Sequence, residues 1–107
     1  MKRGELWWAN LPPPAGRRPV VLLSRDAAYA VRTAVTVVEV TTTIRHIASQ
    51  VALGSADGLP RPCAANADTL VTIPKAWLDT RIAALTASKL VAVENAVRFA
   101  LALPDGR

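Results

Sequence analysis

The sequence predicts a mainly β fold with one helix: a small antiparallel barrel of five or six short strands, closed by a C-terminal amphipathic helix. Three observations predict it. Short runs rich in Val, Leu, Ile and Thr recur through the first 85 residues and are split by Pro- and Gly-containing turns. After residue 85 the apolar spacing changes from a period of two to a helical one. The length of 107 residues suits one domain, 1–107, with no repeat, low-complexity tract or interdomain linker. Closing such strands into a barrel would hide their edges.

The elements follow in order. Residues 6–11 alternate well enough for a strand. Residues 12–16 form a loop, because three consecutive prolines fix φ and remove backbone donors. Residues 19–24 are a short β-branched and Leu run, expected as a buried strand. Residues 34–42 carry the strongest strand pattern in the chain. Residues 49–53 predict a shorter strand, residues 55–60 have turn chemistry, and residues 64–73 predict another strand ending at Pro74. Residues 81–85 complete the set as a last short strand. In the helix, Leu90, Val93, Val97, Ala100 and Leu101 are expected on one face, with Lys89, Glu94, Asn95 and Arg98 off it. Thr86 can cap its start, Glu94 and Arg98 stand at i,i+4, and Pro104 and Gly106 stop it.

Composition narrows the function classes. The formal net charge is +5. Through residue 45, seven Lys/Arg face three acids, giving +4; from residue 46, six face five, giving +1. The positive field of the first half suits a polyanionic partner, although a plain solvated basic surface accounts for it too. The single cysteine, Cys63, permits no intrachain disulfide and fits a reducing compartment, where it reads as a half-buried small hydrophobe. Glu5 and the prolines interrupt any secretory apolar segment, and no apolar run approaches the ~20 residues of a membrane helix. A soluble cytoplasmic protein without a membrane partner is expected.

Several chemistries lack their residues. The eight acids show no ligand spacing, so no metal is expected. There is one histidine, His46, and no GxSxG, so a serine hydrolase triad has no support. No Gly-rich phosphate loop occurs, and no cofactor is called for. Arginines and hydroxyls remain. They suffice for RNA, whose 2′-OH is an internal nucleophile beside the phosphorus, so that proximity is already supplied. Arginine offers a donor fork that matches phosphate oxygens, but it is a poor base. His46 alone cannot serve as both acid and base, and reads better as a surface group. Trp7 and Trp8 point to opposite faces of a strand: one is expected in the core, the other against the helix or a dimer seam.

The opening Arg3-Gly4-Glu5-Leu6-Trp7-Trp8, followed by Arg17-Arg18-Pro19-Val20-Val21, resembles the start of the MazF/PemK family of toxin endoribonucleases. Arg18-Pro19-Val20 looks like the family's R-P-V motif, whose arginine is catalytic. Val38-Glu39-Val40-Thr41-Thr42 looks like the strand that ends in a catalytic Thr or Ser. Asn66-Ala67-Asp68-Thr69-Leu70-Val71-Thr72 resembles the strand bordering the RNA groove, and Leu85-Thr86 the start of the closing helix. The resemblance implies an SH3-like barrel and a homodimer that cleaves single-stranded mRNA without metal, leaving 2′,3′-cyclic phosphate and 5′-OH ends. It also implies a cognate antitoxin that neutralises the enzyme. Arg18 and Thr41 are thereby implied as catalytic. Six further residues read as RNA-binding: Arg17 as steering charge, Thr42, Thr43 and Arg45 as a polar, basic strand exit suited to phosphates and bases, and Asp68 and Thr69 as candidates to read base edges. The chain departs from the pattern at Val71, where many members have Arg, and in its short Pro-rich loop before Arg17. Glu39, by parity on the face of Thr41, brings a negative charge to the groove. Two other readings use the same fold: a non-enzymatic gyrase poison of the CcdB type, disfavoured by the missing tryptophan-containing tail, and an inactive RNA-binding module.

Overall fold

The computed structural model describes residues 1–104. Six strands form one antiparallel sheet: β1 (Glu5–Asn10), β2 (Arg17–Leu22), β3 (Ala34–Thr41), β4 (Gln50–Leu53), β5 (Cys63–Pro74) and β6 (Leu78–Ala84). Their spatial order is β4-β5-β3-β2-β1-β6. One helical turn, α1 (Ala28–Val31), joins β2 to β3, and α2 (Ala87–Leu101) follows β6. The architecture is the expected one, with the sheet curled into a half-barrel and covered by α2.

Apolar residues cover both faces of the middle strands, which is why Val20, Val21 and Leu22 are all fully buried. On one face Leu6, Val21, Val38, Val40, Leu53, Leu59, Cys63 and Ala65 pack under Val93 of α2. On the other, Ala9, Val20, Leu22, Val35, Val37 and Ile73 pack with Tyr29 of α1 and Leu78. A near-continuous apolar run is the signature of a strand enclosed on both sides.

β4 and β6 are the two edges of the sheet. The segment 54–60 lies between them. Leu59 is buried, and the α-carbon of Gly58 approaches β6 so closely that a side chain there would meet the Ala83 Cβ at 3.1 Å. Gly58 also has φ +88°, a left-handed conformation that favours glycine. This turn seals the gap that the sheet leaves open.

Several boundaries moved, each for a physical reason. β2 begins at Arg17 rather than residue 19, because Arg17 pairs with Asn10 and Arg18 with Ala9. Pro19 is accommodated opposite Trp8 because the ladder to β3 starts only at Val20↔Glu39. β6 begins at Leu78, whose burial and pairing with Ala9 outweigh the weak β propensity of Asp79. The helix starts as expected, with the Thr86 hydroxyl accepting from the Lys89 N–H at 3.2 Å. Its buried residues are Val93 and Ala96, whereas Leu101 is 50% exposed. Leu101 stands eight positions from Val93, about 80° around the axis, and so leaves the contact face. The helix ends at Ala102 in a left-handed cap, with Leu103 N–H donating to the Arg98 carbonyl. The stop expected at Gly106 lies outside the described residues.

Candidate nucleic-acid interface

β2 enters the sheet where β3 leaves it. The register Val20↔Glu39, carried two residues further along both strands, brings Arg18 level with Thr41 and on the same face. Between these strand ends lies a groove of about 280 Å³, lined by Trp8, Arg17, Arg18, Thr41, Thr42 and Arg61 over a floor that includes Val40, Leu59 and Cys63. Four of the eight residues singled out in the sequence therefore meet in one place: Arg17, Arg18, Thr41 and Thr42.

The Arg18 guanidinium is held from two sides. Its Nε donates to the Ala15 carbonyl at 3.2 Å, and Nη1 lies 3.7 Å from Glu39 Oε1. Glu39 thus flanks the guanidinium without itself lining the groove. At 3.7 Å the pair is looser than a direct charge-assisted bond of about 2.7–2.9 Å. Arg18 keeps donors to spare, with a side chain 34% exposed.

Thr41 ends β3 in a turn where its Oγ1 accepts from the Thr43 N–H at 3.1 Å. An oxygen that already accepts there has its own proton left to donate into the groove. The turn is reinforced by Gln50, whose side chain accepts from Arg45 N–H and donates to the Thr43 carbonyl.

Arg17 forms the adjacent wall. Its guanidinium lies 4.5 Å from the centre of the Trp8 ring and makes two contacts of 3.2 Å to Asp79. Asp79 also accepts from Asn10 and Thr80. The Arg17 fork, followed by Thr80, holds the Asp79 carboxyl down at about 2, with a third of the side chain still exposed. Trp8 therefore faces the groove, not α2, whereas Trp7 packs into the core and donates its indole N–H to Glu5.

The remaining expected residues lie elsewhere. Thr43 and Arg45 are exposed on the loop after β3, beyond the groove lining, and His46 is exposed there with φ 52°. Asp68 and Thr69 sit on a bulge, because β5 pairs with Val38 through Leu70 and with Glu39 through Asn66, leaving 67–69 extruded. There Ser49 Oγ donates to Asp68 at 2.6 Å, and the Asn66 side-chain amide donates to Thr69 at 3.1 Å. These bonds brace the bulge, and the groove lining does not include it. Cys63 is buried rather than half-buried, and burial pushes its thiol pKa up.

Two residues of the groove were not expected there: Trp8, expected in the core or against the helix or a dimer seam, and Arg61, which carries no signal in the sequence. Arg61 sits between two prolines in a turn that carries no motif. Only the pairing Thr41↔Ala64 reveals that this turn returns beside the end of β3. Among the described residues, no group of three His, Cys, Asp or Glu side chains could hold a metal ion, and no helix is long and apolar enough to cross a membrane.

Comparison with known proteins places this geometry. The family described as "PemK-like, MazF-like toxin of type II toxin-antitoxin system" matches residues 2–101. The chain is 40% identical over 100 residues to the "Probable endoribonuclease MazF5" of Mycobacterium tuberculosis, covering 92% of this chain and 91% of that one. It is 37% identical over 91 residues to the "Probable endoribonuclease MazF2" of the same organism, covering 84% and 87%. The solved structure "Mycobacterium tuberculosis toxin MazF-mt6" superposes with a TM-score of 0.86 at 33% identity, over 94% of this chain and 98% of that one. An "Endoribonuclease in complex with its cognate antitoxin from Mycobacterial species" superposes at 0.84 and 28% identity, over 99% of both chains.

Proposed function

The chain belongs to the PemK-like, MazF-like toxins of type II toxin–antitoxin systems, and we propose that its groove cuts single-stranded RNA, with Arg18 and Thr41 at the reacting phosphate. The observation that carries this reading is the meeting of Arg18 and Thr41 at one groove end, both with donors uncommitted to the fold. The relatives it resembles over nearly its whole length are named endoribonucleases.

The reaction is a transesterification. The 2′-oxygen attacks the adjacent phosphorus, its proton leaves to solvent or a neighbouring base, and the bond from phosphorus to the 5′-oxygen breaks. The products are a 2′,3′-cyclic phosphate and a 5′-OH that has taken up a proton. Negative charge grows on the two non-bridging oxygens along the way. Arg18 offers its fork to those oxygens, and Thr41 adds a hydroxyl donor, both pre-aimed by Ala15, Glu39 and the Thr43 N–H. Donors fixed where charge develops are the largest single source of rate in such sites. Since the nucleophile belongs to the substrate, no metal is required to generate it.

Arg17, Thr42, Thr43 and Arg45 bind the strand on either side of the cut, with Asp68 and Thr69 further along the sheet. The substrate is mRNA in the cytoplasm, the active unit is a homodimer, and a cognate antitoxin restrains it by occupying the groove. The test is cleavage of a defined single-stranded RNA in excess EDTA, with analysis of the new ends. Discrete cuts ending in 2′,3′-cyclic phosphate support the reading. Intact RNA in the presence of folded protein overturns it in favour of a protein-binding role.

A further inference from the structure

The groove holds three arginines, and their charges are not equally available. Arg17 is matched by Asp79 at 3.2 Å, and Arg18 by Glu39 at 3.7 Å. Arg61, on the facing wall, has no hydrogen bond and no carboxylate within ion-pair distance among the described residues, and it is exposed. Arg45 is also unmatched, but it lies outside the groove lining. The unbalanced positive charge of the groove thus resides on one residue of the turn between β4 and β5.

That turn fixes the root of the side chain. Pro60 and Pro62 flank Arg61 and lock φ on both sides. Leu59 is anchored in the core, and Gly58 lies against Ala83 of β6. Beyond Pro62, Cys63 pairs with Leu53, and Ala64 with Thr41. The long side chain is free, and its origin is held across the groove from Arg18.

Building on the RNA-cleaving reading above, we propose that Arg61 is a positioning residue that grips a phosphate next to the scissile one. The matched arginines must exchange a protein carboxylate for a phosphate and so gain little net charge interaction when substrate arrives. Arg61 gives up only water and counterions. It therefore accounts for an outsized share of the salt-dependent affinity, while Arg18, preoriented by Glu39, acts on the bond that breaks. This division predicts that Arg61 governs KM and Arg18 governs kcat.

The test compares wild type, Arg61→Ala and Arg61→Lys. Cleavage kinetics use a single-stranded RNA containing a mapped cut site. Binding uses the same sequence as uncleavable single-stranded DNA, titrated from about 50 to 200 mM salt. Arg61→Ala should raise KM about fivefold with little change in kcat, and should reduce the slope of log K against log salt by about 0.7, the value for one contact to a single strand. Arg61→Lys should restore most of the slope. An unchanged slope and KM in Arg61→Ala, alongside active wild type, overturns the proposal and leaves the nuclease reading standing. A fall in kcat with KM unchanged overturns it too, making Arg61 part of the chemistry. If wild type leaves RNA intact, the nuclease reading fails, and the DNA slope still decides whether Arg61 contacts phosphate.

Discussion

The two ends of β1 both carry arginine–carboxylate pairs, and they are built for opposite purposes. At the start of the strand, Glu5 is 9% exposed and accepts from Arg81 at 2.9 Å, from the Trp7 indole at 3.0 Å and from the Lys2 N–H at 2.9 Å. A second set of bonds, from Arg3, reaches Glu94 of α2, the Leu23 carbonyl and, through its backbone N–H, Asp26. At the far end, Arg17–Asp79 and Arg18–Glu39 are longer contacts beside open solvent. The chemistry is shared, and the burial and satisfaction of donors differ. A buried carboxylate with every oxygen engaged is a fastener. A loose pair at a groove mouth is a charge held ready for exchange, because an exposed pair contributes little to stability.

Removing a residue from each end should separate the two roles. The largest effect is expected from Arg18→Ala, a loss of roughly 10²–10³ in kcat, with the melting temperature shifted by no more than about 4 °C. Steady-state kinetics paired with thermal melting checks both. Thr41→Val removes one donor to a charged group and should lower kcat roughly 10–100-fold. It should also loosen the turn at Thr43, which amide exchange at that residue would reveal.

Glu5→Gln should leave chemistry intact and cost about 2 kcal/mol of stability, a drop of roughly 10 °C. Its pH dependence sharpens the comparison. Burial alone would raise the Glu5 pKa, but the donors from Trp7, Arg81 and Lys2 overcome it and bring it from 4.5 to about 2. A lowered folded value means stability that is fully present above about pH 4.5 and lost as pH falls toward 2. Melting between pH 3 and 6 should therefore be less steep in Glu5→Gln than in wild type. Asp79 is also held near 2, but its side chain is a third exposed at the groove mouth, where solvent screens the pair. Asp79→Asn should leave the melting temperature unchanged and tighten RNA binding by releasing Arg17; weaker binding would show that Asp79 orients Arg17 for the strand.

The smallest effect belongs to the helix end. Ala102 holds φ 55°, which glycine adopts without a Cβ penalty. Ala102→Gly should stabilise the chain by up to about 1 kcal/mol, with cleavage unaltered.

The strands and the strand-borne part of the groove were legible in the sequence; the Glu5–Arg81 and Arg3–Glu94 pairs of the fixed end, and the loop-borne part of the groove, were not. Strand-borne residues announce themselves: the apolar run from Pro19 and the β-rich stretch 34–42 marked the strands, the family resemblance singled out Arg18 and Thr41, and the observed register sets the two level. Thr86 likewise showed where α2 starts. Loop-borne positions depend on register breaks that periodicity does not record. The three-residue bulge at 67–69 carried Asp68 and Thr69 away from the groove lining, and the Pro60–Pro62 turn carried Arg61 into it. Glu39 was visible only through its shared parity with Thr41, and its pairing with Arg18 was not visible at all. Whether that carboxylate opposed or oriented the arginine needed the distance. The short helix at Ala28–Val31 left no period at all, being a single turn.

The most direct test of the division between fastener and exchangeable charge is to assay Arg18→Ala and Glu5→Gln side by side for RNA cleavage in EDTA and for thermal melting. The account predicts that Arg18→Ala loses cleavage and keeps its melting temperature, whereas Glu5→Gln melts lower and still cleaves at a temperature where it is folded. If Arg18→Ala melts as low as Glu5→Gln, or if Glu5→Gln loses cleavage while folded, the two ends of β1 do not divide structure from chemistry, and the account is contradicted.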